Sequence, residues 1–363
     1  MSAANTLGTY VIAEAGVNHN GSLDTALRLV DVACAAGADA VKFQSFHATK
    51  LASPSAPKAA YQIGTAGIAE SQLDMLRRLE LSEVDQRKLS EHCQSRGIEF
   101  LSSAFDVDSL EFLVRDLGMR CIKVPSGEIT NAPLLLRAAK LNKPVILSTG
   151  MSTVADIGSA LGVLAFGYAA ESRSPSIAAF EEAYRNPATR AALGANVTLL
   201  HCTTEYPAPF HEVNLRAMET MRELFSLPVG CSDHTTGIAV PIAAVALGAC
   251  VIEKHFTLDR NLPGPDHQAS LEPKELEAMI SAIREIEAAL GSANKQPTAS
   301  EMKNLPIARC SLVAARDIEA GEKFSEDNLT IKRPGTGISP LHYWEWLGKV
   351  ASRRFSRDDT IAP

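Results

Sequence analysis

Eight short apolar runs, each ending in Lys, Glu, Ser or His residues, constrain the fold of this 363-residue chain more than any other feature. Helix-like segments separate the runs, so the pattern is strand–helix repeated eight times. In a closed (β/α)8 barrel all strand ends open onto one face, where barrel enzymes keep their chemistry. The sequence therefore predicts a TIM barrel whose reactive side chains share one bowl. The predicted strands and the residues that follow them are Tyr10–Ala13 before Glu14, Ala40–Val41 before Lys42, Ile98–Leu101 before Ser102, Cys121–Ile122 before Lys123, Val145–Leu147 before Ser148, Val197–Leu200 before His201, Val229–Cys231 before Ser232 and Cys250–Ile252 before Glu253.

The chain is longer than the roughly 250 residues of a typical barrel, which predicts a second, smaller domain. After about residue 292 the composition changes to a Ser-, Ala- and Pro-containing segment and then to short strand-like pieces. We predict a barrel over residues 1–291, a linker over 292–304 and a small β-rich domain over 305–363. In that domain a turn-rich loop presents Arg333.

Composition excludes several classes of function. The net charge of −7 disfavours a nucleic-acid partner, and no apolar stretch approaches the roughly 20 residues needed to cross a bilayer. The first residues lack the basic and apolar regions of a signal peptide, so we expect a cytoplasmic protein. Seven cysteines without a CxxC pair indicate reduced thiols rather than disulfides or a zinc cluster.

Two histidines, His234 and His255, end strands seven and eight, which are adjacent in a closed barrel. Two imidazoles there could hold an exchangeable divalent metal with open positions for water and substrate. The alternative is an ordinary pair of hydrogen-bonding histidines. His201 at the end of strand six is a further candidate that packing explains equally well.

Two lysines, Lys42 and Lys123, end strands two and four. They could hold a phosphate or carboxylate as ammonium groups, or one could form a Schiff base as an amine of lowered pKa. The nearby Ser126–Gly127–Glu128 and Ser148–Thr149–Gly150 turns offer hydroxyl and backbone N–H donors, which favour an anion site.

Three acidic residues complete the candidate site. Glu14 and Glu128 follow strands one and four and are candidates for proton transfer or for hydrogen bonding to a polyol. Asp266 lies on the loop after strand eight, where a capped turn is the alternative interpretation.

A set of motifs in order and with matching spacing resembles the sialic acid synthase family, from about residue 9 to the C-terminus. This family comprises bacterial N-acetylneuraminate synthases and their legionaminate and pseudaminate relatives. The resemblance implies that an antifreeze-like (SAF) domain follows the barrel from about residue 305. The motifs that carry the resemblance are Ala13–Gly21 (AEAGVNHNG), Val41–Gln44 (VKFQ), Lys123–Glu128 (KVPSGE), Ser148–Met151 (STGM), Ser232–His234 (SDH), Glu253–Thr257 (EKHFT), Pro263–Asp266 (PGPD) and Lys332–Gly335 (KRPG).

The resemblance also implies an activity and residue roles. The family condenses phosphoenolpyruvate with an N-acetylmannosamine-type sugar and water and releases phosphate by C–O cleavage. His234 and His255 would ligate Mn²⁺ or Mg²⁺, and Arg333 would reach the neighbouring subunit's site in a domain-exchanged homodimer. Lys42, Lys123, Ser103, Ser126, Ser148 and Ser232 resemble the phosphoenolpyruvate contacts, and Glu14, Tyr206 and Asp266 resemble the groups that hold the sugar and assist proton transfer.

One departure bears on the sugar. Thr204 stands two residues before Tyr206, where some relatives have Asn, so the sugar's substituents are open. The leading hypothesis is N-acetylneuraminate synthase, and the alternative is N,N'-diacetyllegionaminate synthase acting on 2,4-diacetamido-2,4,6-trideoxymannose. Two other classes are weaker: a Schiff-base aldolase leaves the histidine pair without a role, and an ice- or glycan-binding protein leaves all the strand-end residues unexplained.

Overall fold

Eight parallel strands close into a barrel in the order of the sequence, which confirms the predicted (β/α)8 fold. The computed structural model describes residues 8–59, 62, 71–169 and 173–362. By its internal contacts the chain divides into two units, Met1–Gly291 and Ser292–Pro363. The strands β1 to β8 are Tyr10–Gly16, Ala40–Ser45, Glu99–Ala104, Ile122–Val124, Val145–Ser148, Val197–Cys202, Val229–Asp233 and Val251–His255.

The strands extend further than the apolar runs predicted. The β3 strand includes Ser102 and Ser103, and β8 includes Glu253 and His255, residues that the sequence pattern placed after the strand ends. The ladder continues through them because a parallel strand of a barrel is paired on both sides whatever the polarity of its side chains. The register sets Glu14 beside Lys42 on one side and beside His255 on the other.

Helices surround the barrel, and three of them begin at capping side chains. Ser22 and Ser82 each accept a hydrogen bond from the backbone three residues on, and Asn131 does the same. The helices α1 to α12 are Leu23–Ala35, Ala48–Leu51, Gln72–Leu79, Glu83–Arg96, Val107–Glu111, Ala132–Lys140, Val154–Tyr168, Ile177–Arg185, Pro187–Asn196, Ala217–Phe225, Ala239–Ala246 and Pro273–Leu290.

The second unit is a small domain with its own core. It contains helix α13 (Ala299–Ala308), strands β9 (Ser311–Ala314) and β10 (Leu329–Lys332), which pair antiparallel, and helix α14 (Tyr343–Trp346). Its buried residues include Leu312, Phe324, Phe355 and Ile361. Helix α13 begins inside the predicted linker, because Thr298 and Glu301 form a capping box that starts a helix there.

Two further features concern the cysteines and the length of the helices. All seven cysteines are free thiols, as predicted. Among the residues that the structure describes, no helix is long and apolar enough to span a bilayer.

Candidate active site

The predicted lysines lie buried at the mouth of the barrel, each bonded to a serine. Lys42 Nζ donates to Ser103 Oγ at 2.9 Å, and Lys123 Nζ donates to Ser148 Oγ at 2.8 Å. Both residues are at most 3% exposed. They line a cavity of about 500 Å³ formed by the strand ends and the loops above them. The bowl predicted from the strand pattern therefore exists, and it is lined by cations and hydroxyls.

A carboxylate that the sequence reasoning did not single out, Glu253, lies between the two lysines. Its oxygens are 3.5 Å from Lys42 Nζ and 3.5 Å from Lys123 Nζ, and it accepts a hydrogen bond from Ser232 at 2.8 Å. Burial opposes its charge, but Lys123 and Lys42 outweigh this and lower the pKa of Glu253 to about 2. The carboxylate thus compensates the cations in the free site. Period-two alternation back from His255 is the signal that could have found it.

The pKa values of the two lysines are shifted in opposite directions. Burial would lower the pKa of Lys42, but Glu14, at 2.5 Å from Nζ, and Glu253 raise it. Burial lowers the pKa of Lys123. Both side chains are held by hydroxyl and carboxylate partners, which suits an ammonium group that binds an anion.

Ser126 and Thr204 meet at the turn after β5. Ser126 Oγ accepts from Gly150 N at 3.0 Å, and a Cβ atom on Gly150 would lie 2.2 Å from Thr204 Oγ1 and 2.9 Å from Ser126 Oγ. Only glycine fits there without displacing both hydroxyls. Thr204 Oγ1 is buried without a protein hydrogen-bond partner, so it is available to a bound molecule.

The histidines converge as predicted. The ring centroids of His234 and His255 are 5.4 Å apart, and Tyr206 packs on both rings, at 4.1 Å from His234 and 5.5 Å from His255. His234 Nδ1 donates to Thr203 O at 2.7 Å, which leaves Nε2 as the nitrogen that can bind a ligand. His255 Nδ1 is buried without a hydrogen-bond partner and lies 4.0 Å from Asp266 Oδ2.

The histidine pair, with Asp266 nearby, offers donor atoms of the kind that bind an exchangeable divalent cation. An orphaned imidazole nitrogen beside a carboxylate is a donor set of the kind that Mn²⁺ and Mg²⁺ accept. Burial and His234 lower the pKa of His255 well below its usual range, so its imidazole is neutral. Within the described residues no three His, Cys, Asp or Glu groups are arranged to hold a metal, so the histidine pair is the candidate donor set.

Three carboxylic acids at the bowl have raised pKa values. Burial raises the pKa of Glu14 to about 7, although Lys42 opposes it, and raises that of Asp266 to about 6. Burial also raises the pKa of Glu128, whose Oε2 accepts from Asn131 at 2.7 Å. Glu14 and Asp266, whose pKa values lie near neutral pH, can both accept and donate protons during a reaction.

Not every predicted residue joins this cavity. His201 Nε2 donates to Val213 O at 2.5 Å, so it ties strand β6 to the segment before α10 and is a structural residue. Arg333 is exposed in the second unit, and its predicted role at a neighbouring subunit stays a prediction. Of the long segment between β2 and α3, Leu51, Ala59 and Gln62 line the bowl.

Comparison with known proteins extends over almost the whole chain. The sequence pattern of the NeuB family matches residues 29–295. The chain belongs to the NeuB family. The SAF domain pattern matches residues 309–363, so this NeuB-family protein carries the second domain that the motifs implied.

Three relatives show how far the likeness goes. The chain is 51% identical to N,N'-diacetyllegionaminic acid synthase of Campylobacter jejuni, over 97% of this chain and 98% of that protein. It is 43% identical to the synthase of the same name from Legionella pneumophila, over 98% and 94% of the two chains. The crystal structure of N-acetylneuraminic acid synthetase from Leptospira borgpetersenii aligns with a TM-score of 0.66 at 32% identity, over 82% of this chain and 90% of that one.

Membership in the NeuB family establishes the class of reaction. This NeuB-family protein is a phosphoenolpyruvate-dependent condensing enzyme of the sialic acid type, and it uses an amino sugar as the second substrate. The resemblance found in the motifs is thereby confirmed. The condensation is favoured over the Schiff-base aldolase and over the ice- or glycan-binding protein.

Proposed function

We propose that the protein is an N,N'-diacetyllegionaminate synthase, which condenses phosphoenolpyruvate with 2,4-diacetamido-2,4,6-trideoxymannose and water. The observation that carries the proposal is the pairing, in one buried bowl, of the Lys42–Lys123 anion cradle with the His234–His255 pair. The first site suits an enol phosphate, and the second suits an activated carbonyl. The likeness to two legionaminic acid synthases supports the choice of sugar.

Phosphoenolpyruvate would lie along the lysine–serine cradle. It carries close to three negative charges, and burying them requires cations and hydrogen-bond donors on several sides. Lys42 and Lys123 provide the charge, and the hydroxyls of Ser103, Ser148 and Ser232 provide neutral donors. Before the substrate binds, the negative charge of Glu253 compensates part of the positive charge of the two ammonium groups.

The sugar would lie at the opposite side of the bowl, against Tyr206 and below the loop that carries Asp266. Its reacting carbonyl then faces the imidazole pair, and its hydroxyl and acetamido groups meet Thr204 and Glu128. Glu14 lies between the phosphoenolpyruvate side and the sugar side of the bowl, since it contacts Lys42 and pairs in register with His255. It is therefore placed to move a proton between the water that attacks C2 and the new alcohol.

His234 and His255, with Asp266 beside them, would hold Mn²⁺ or Mg²⁺. Such an ion supplies Lewis-acid polarisation of the aldehyde at neutral pH. Activity that survives complete removal of divalent ions with EDTA would contradict this part of the proposal. Restoration of turnover by Mn²⁺ after dialysis would support it.

The sugar is the finer part of the proposal. The sequence motifs favoured N-acetylmannosamine as the sugar, whereas the likeness to two N,N'-diacetyllegionaminic acid synthases favours the diacetamido sugar. Steady-state rates with both sugars test it: we expect kcat/KM for 2,4-diacetamido-2,4,6-trideoxymannose to exceed that for N-acetylmannosamine by at least about tenfold, equivalent to about 1.4 kcal/mol. A preference for N-acetylmannosamine would return the assignment to N-acetylneuraminate synthase.

The bond that breaks can be followed directly. With phosphoenolpyruvate labelled with ¹⁸O at the bridging position, C–O cleavage places the label in the released phosphate. Label in the sugar acid would instead indicate P–O cleavage and contradict the proposed reaction.

The proposal includes a domain-exchanged homodimer in the cytoplasm, in which Arg333 of each chain completes the site of the other. Arg333 is exposed, and the described residues provide it with no ion pair, which suits a residue that binds elsewhere in an assembly. Its planar guanidinium can donate to an acyl oxygen of the sugar.

A further inference from the structure

A buried ion pair lies directly beside the two histidines in the sequence, on the other face of the strands. Lys254 is 0% exposed and Asp233 is 3% exposed, and Lys254 Nζ is 2.5 Å from Asp233 Oδ2. Each residue precedes one histidine, Asp233 before His234 and Lys254 before His255. Neither residue lines the bowl, so the reaction makes no direct use of the pair.

The ion pair links the ends of β7 and β8 at directly paired positions. Strand alternation turns Glu253 and His255 inward and Lys254 outward, toward the helices. The register places Asp233 of β7 opposite Lys254 of β8. The ion pair therefore joins adjacent strands at the point where their histidines leave the barrel.

The residue after His234 belongs to the same network. Thr235 N donates to Asp233 Oδ1 at 3.0 Å, and Thr235 Oγ1 donates to Asp233 Oδ2 at 3.0 Å. Lys254 Nζ also donates to Thr235 O. Because Thr235 is 0% exposed and fixed at three atoms, the backbone on both sides of His234 is held in one conformation.

Stability does not account for such a pair. Removing two charges from water carries a large desolvation cost, and apolar replacements of similar volume are often as stable or more stable. A fully bonded pair does, however, select one arrangement of the groups around it. Here the pair fixes the conformation of the backbone that carries the two imidazoles.

We propose that the Asp233–Lys254 pair is a positioning device that sets the orientation of His234 and His255 for a divalent cation. The inference rests on the cation site of the proposed function. It assigns Asp233 and Lys254 an effect on cation affinity that is separate from any effect on folding.

The test replaces both charges with apolar groups, in the variant Asp233→Leu/Lys254→Met. Free Mn²⁺ is measured by electron paramagnetic resonance during titration of the metal-free full-length protein, without substrates. The free energy of unfolding is measured by urea denaturation. We expect the Kd for Mn²⁺ to rise by about 10- to 100-fold, as for other residues that orient metal ligands, while the free energy of unfolding is unchanged or higher.

A matched control removes another buried polar contact, one that involves neither histidine. Ser45 on β2 donates to Gln86 on α4, and both residues are buried. Ser45→Ala/Gln86→Leu should leave the Kd for Mn²⁺ unchanged. Lys254→Arg, which keeps the charge, should retain more of the affinity than Lys254→Met.

The outcomes separate the two proposals. If the wild-type protein binds no Mn²⁺, the cation site fails and this inference fails with it. If the wild type binds Mn²⁺ and the double variant binds it equally well, only the positioning role is overturned. Should the double variant not fold, Asp233→Asn/Lys254→Gln keeps hydrogen-bonding groups without the charges, and an unchanged Kd in that variant overturns the inference as well.

Discussion

Lys123 is the single residue whose loss should best separate the binding of the two substrates. It donates to Ser148 at 2.8 Å inside the anion cradle. In Lys123→Ala we expect KM for phosphoenolpyruvate to rise about 10- to 100-fold, because a hydrogen bond to a charged group contributes about 1.5–3 kcal/mol. KM for the sugar should change little. Steady-state kinetics with each substrate varied in turn measures both.

Lys274 provides the control for this substitution. It is exposed on α12, away from the cradle, so Lys274→Ala should leave both constants unchanged. An equal rise of the two KM values in Lys123→Ala would show that the lysine supports the whole bowl rather than the anion.

His19 should make the folded state sensitive to acid. It is 1% exposed, and burial together with the neighbouring His267 lowers its pKa to about 4. The unfolded state binds a proton near pH 6.5 and the folded state only near pH 4, so stability is present above pH 6.5 and is lost as the pH falls toward 4. The loss amounts to about 3 kcal/mol. Urea denaturation between pH 7 and pH 4 measures it.

In His19→Gln this part of the acid sensitivity should disappear. His211, whose side chain is 82% exposed, is the control, and His211→Gln should keep the wild-type dependence on pH. Identical pH profiles for wild type and His19→Gln would show that the pKa of His19 is the same in the folded and unfolded states.

For single residues, the sequence predicted which side chains line the bowl but not which of them form hydrogen bonds and ion pairs with one another. Lys42, Lys123, His234 and His255 could be found because strand ends gather on one face. Glu253 was not singled out, because its role depends on bonds to residues from three other strands, β2, β4 and β7. Such partners depend on register, which no local pattern encodes.

Strand β7 contains a position where backbone packing allows only glycine. A Cβ atom on Gly230 would lie 2.3 Å from Val251 O, a backbone atom of β8 that cannot move away. We expect Gly230→Ala to lower the free energy of unfolding by about 1–3 kcal/mol through overpacking. Urea denaturation measures the change.

Gly194 on α9 is the matched control, since nothing lies within 4 Å of a Cβ atom there. Gly194→Ala should raise the free energy of unfolding by about 0.5–1 kcal/mol, because glycine loses more chain entropy in a helix than alanine. A neutral Gly230→Ala would show that β7 and β8 can separate without cost.

Helix starts were the most predictable feature among the elements, and strand ends were the least. Ser22, Ser82 and Asn131 cap their helices because a cap needs only a side-chain acceptor and a free N–H a few residues on. Strand length depends on neighbours that lie far along the chain. For this reason β3 and β8 continue through polar residues that looked like loop positions.

Domain exchange in the whole molecule is tested by mixing two impaired variants at substrate concentrations below KM. Lys123→Ala weakens the binding of phosphoenolpyruvate in the barrel of its own chain, and Arg333→Ala should weaken the binding of the sugar at the site of the partner. If domains are exchanged, each mixed dimer contains one site with both residues intact, so random mixing should restore about a quarter of the wild-type activity. Turnover after joint unfolding and refolding, compared with each variant alone, measures this.

No recovery in the mixture, although dimers form, would place Arg333 at the site of its own chain or at none. Wild type mixed with either variant is the control for loss during refolding.

The barrel and the second domain could be predicted from repetition and from a change in composition. A pairing of chains is implied by the family resemblance alone and stays a prediction, since it depends on the surfaces of two copies.

The pairing of β1 with β8 also bears on synthesis at the ribosome. Glu14 and His255 lie side by side although they come from opposite ends of the barrel sequence. A nascent chain therefore cannot form the catalytic centre until its eighth strand has left the exit tunnel, and half-made enzyme has no means of consuming substrate.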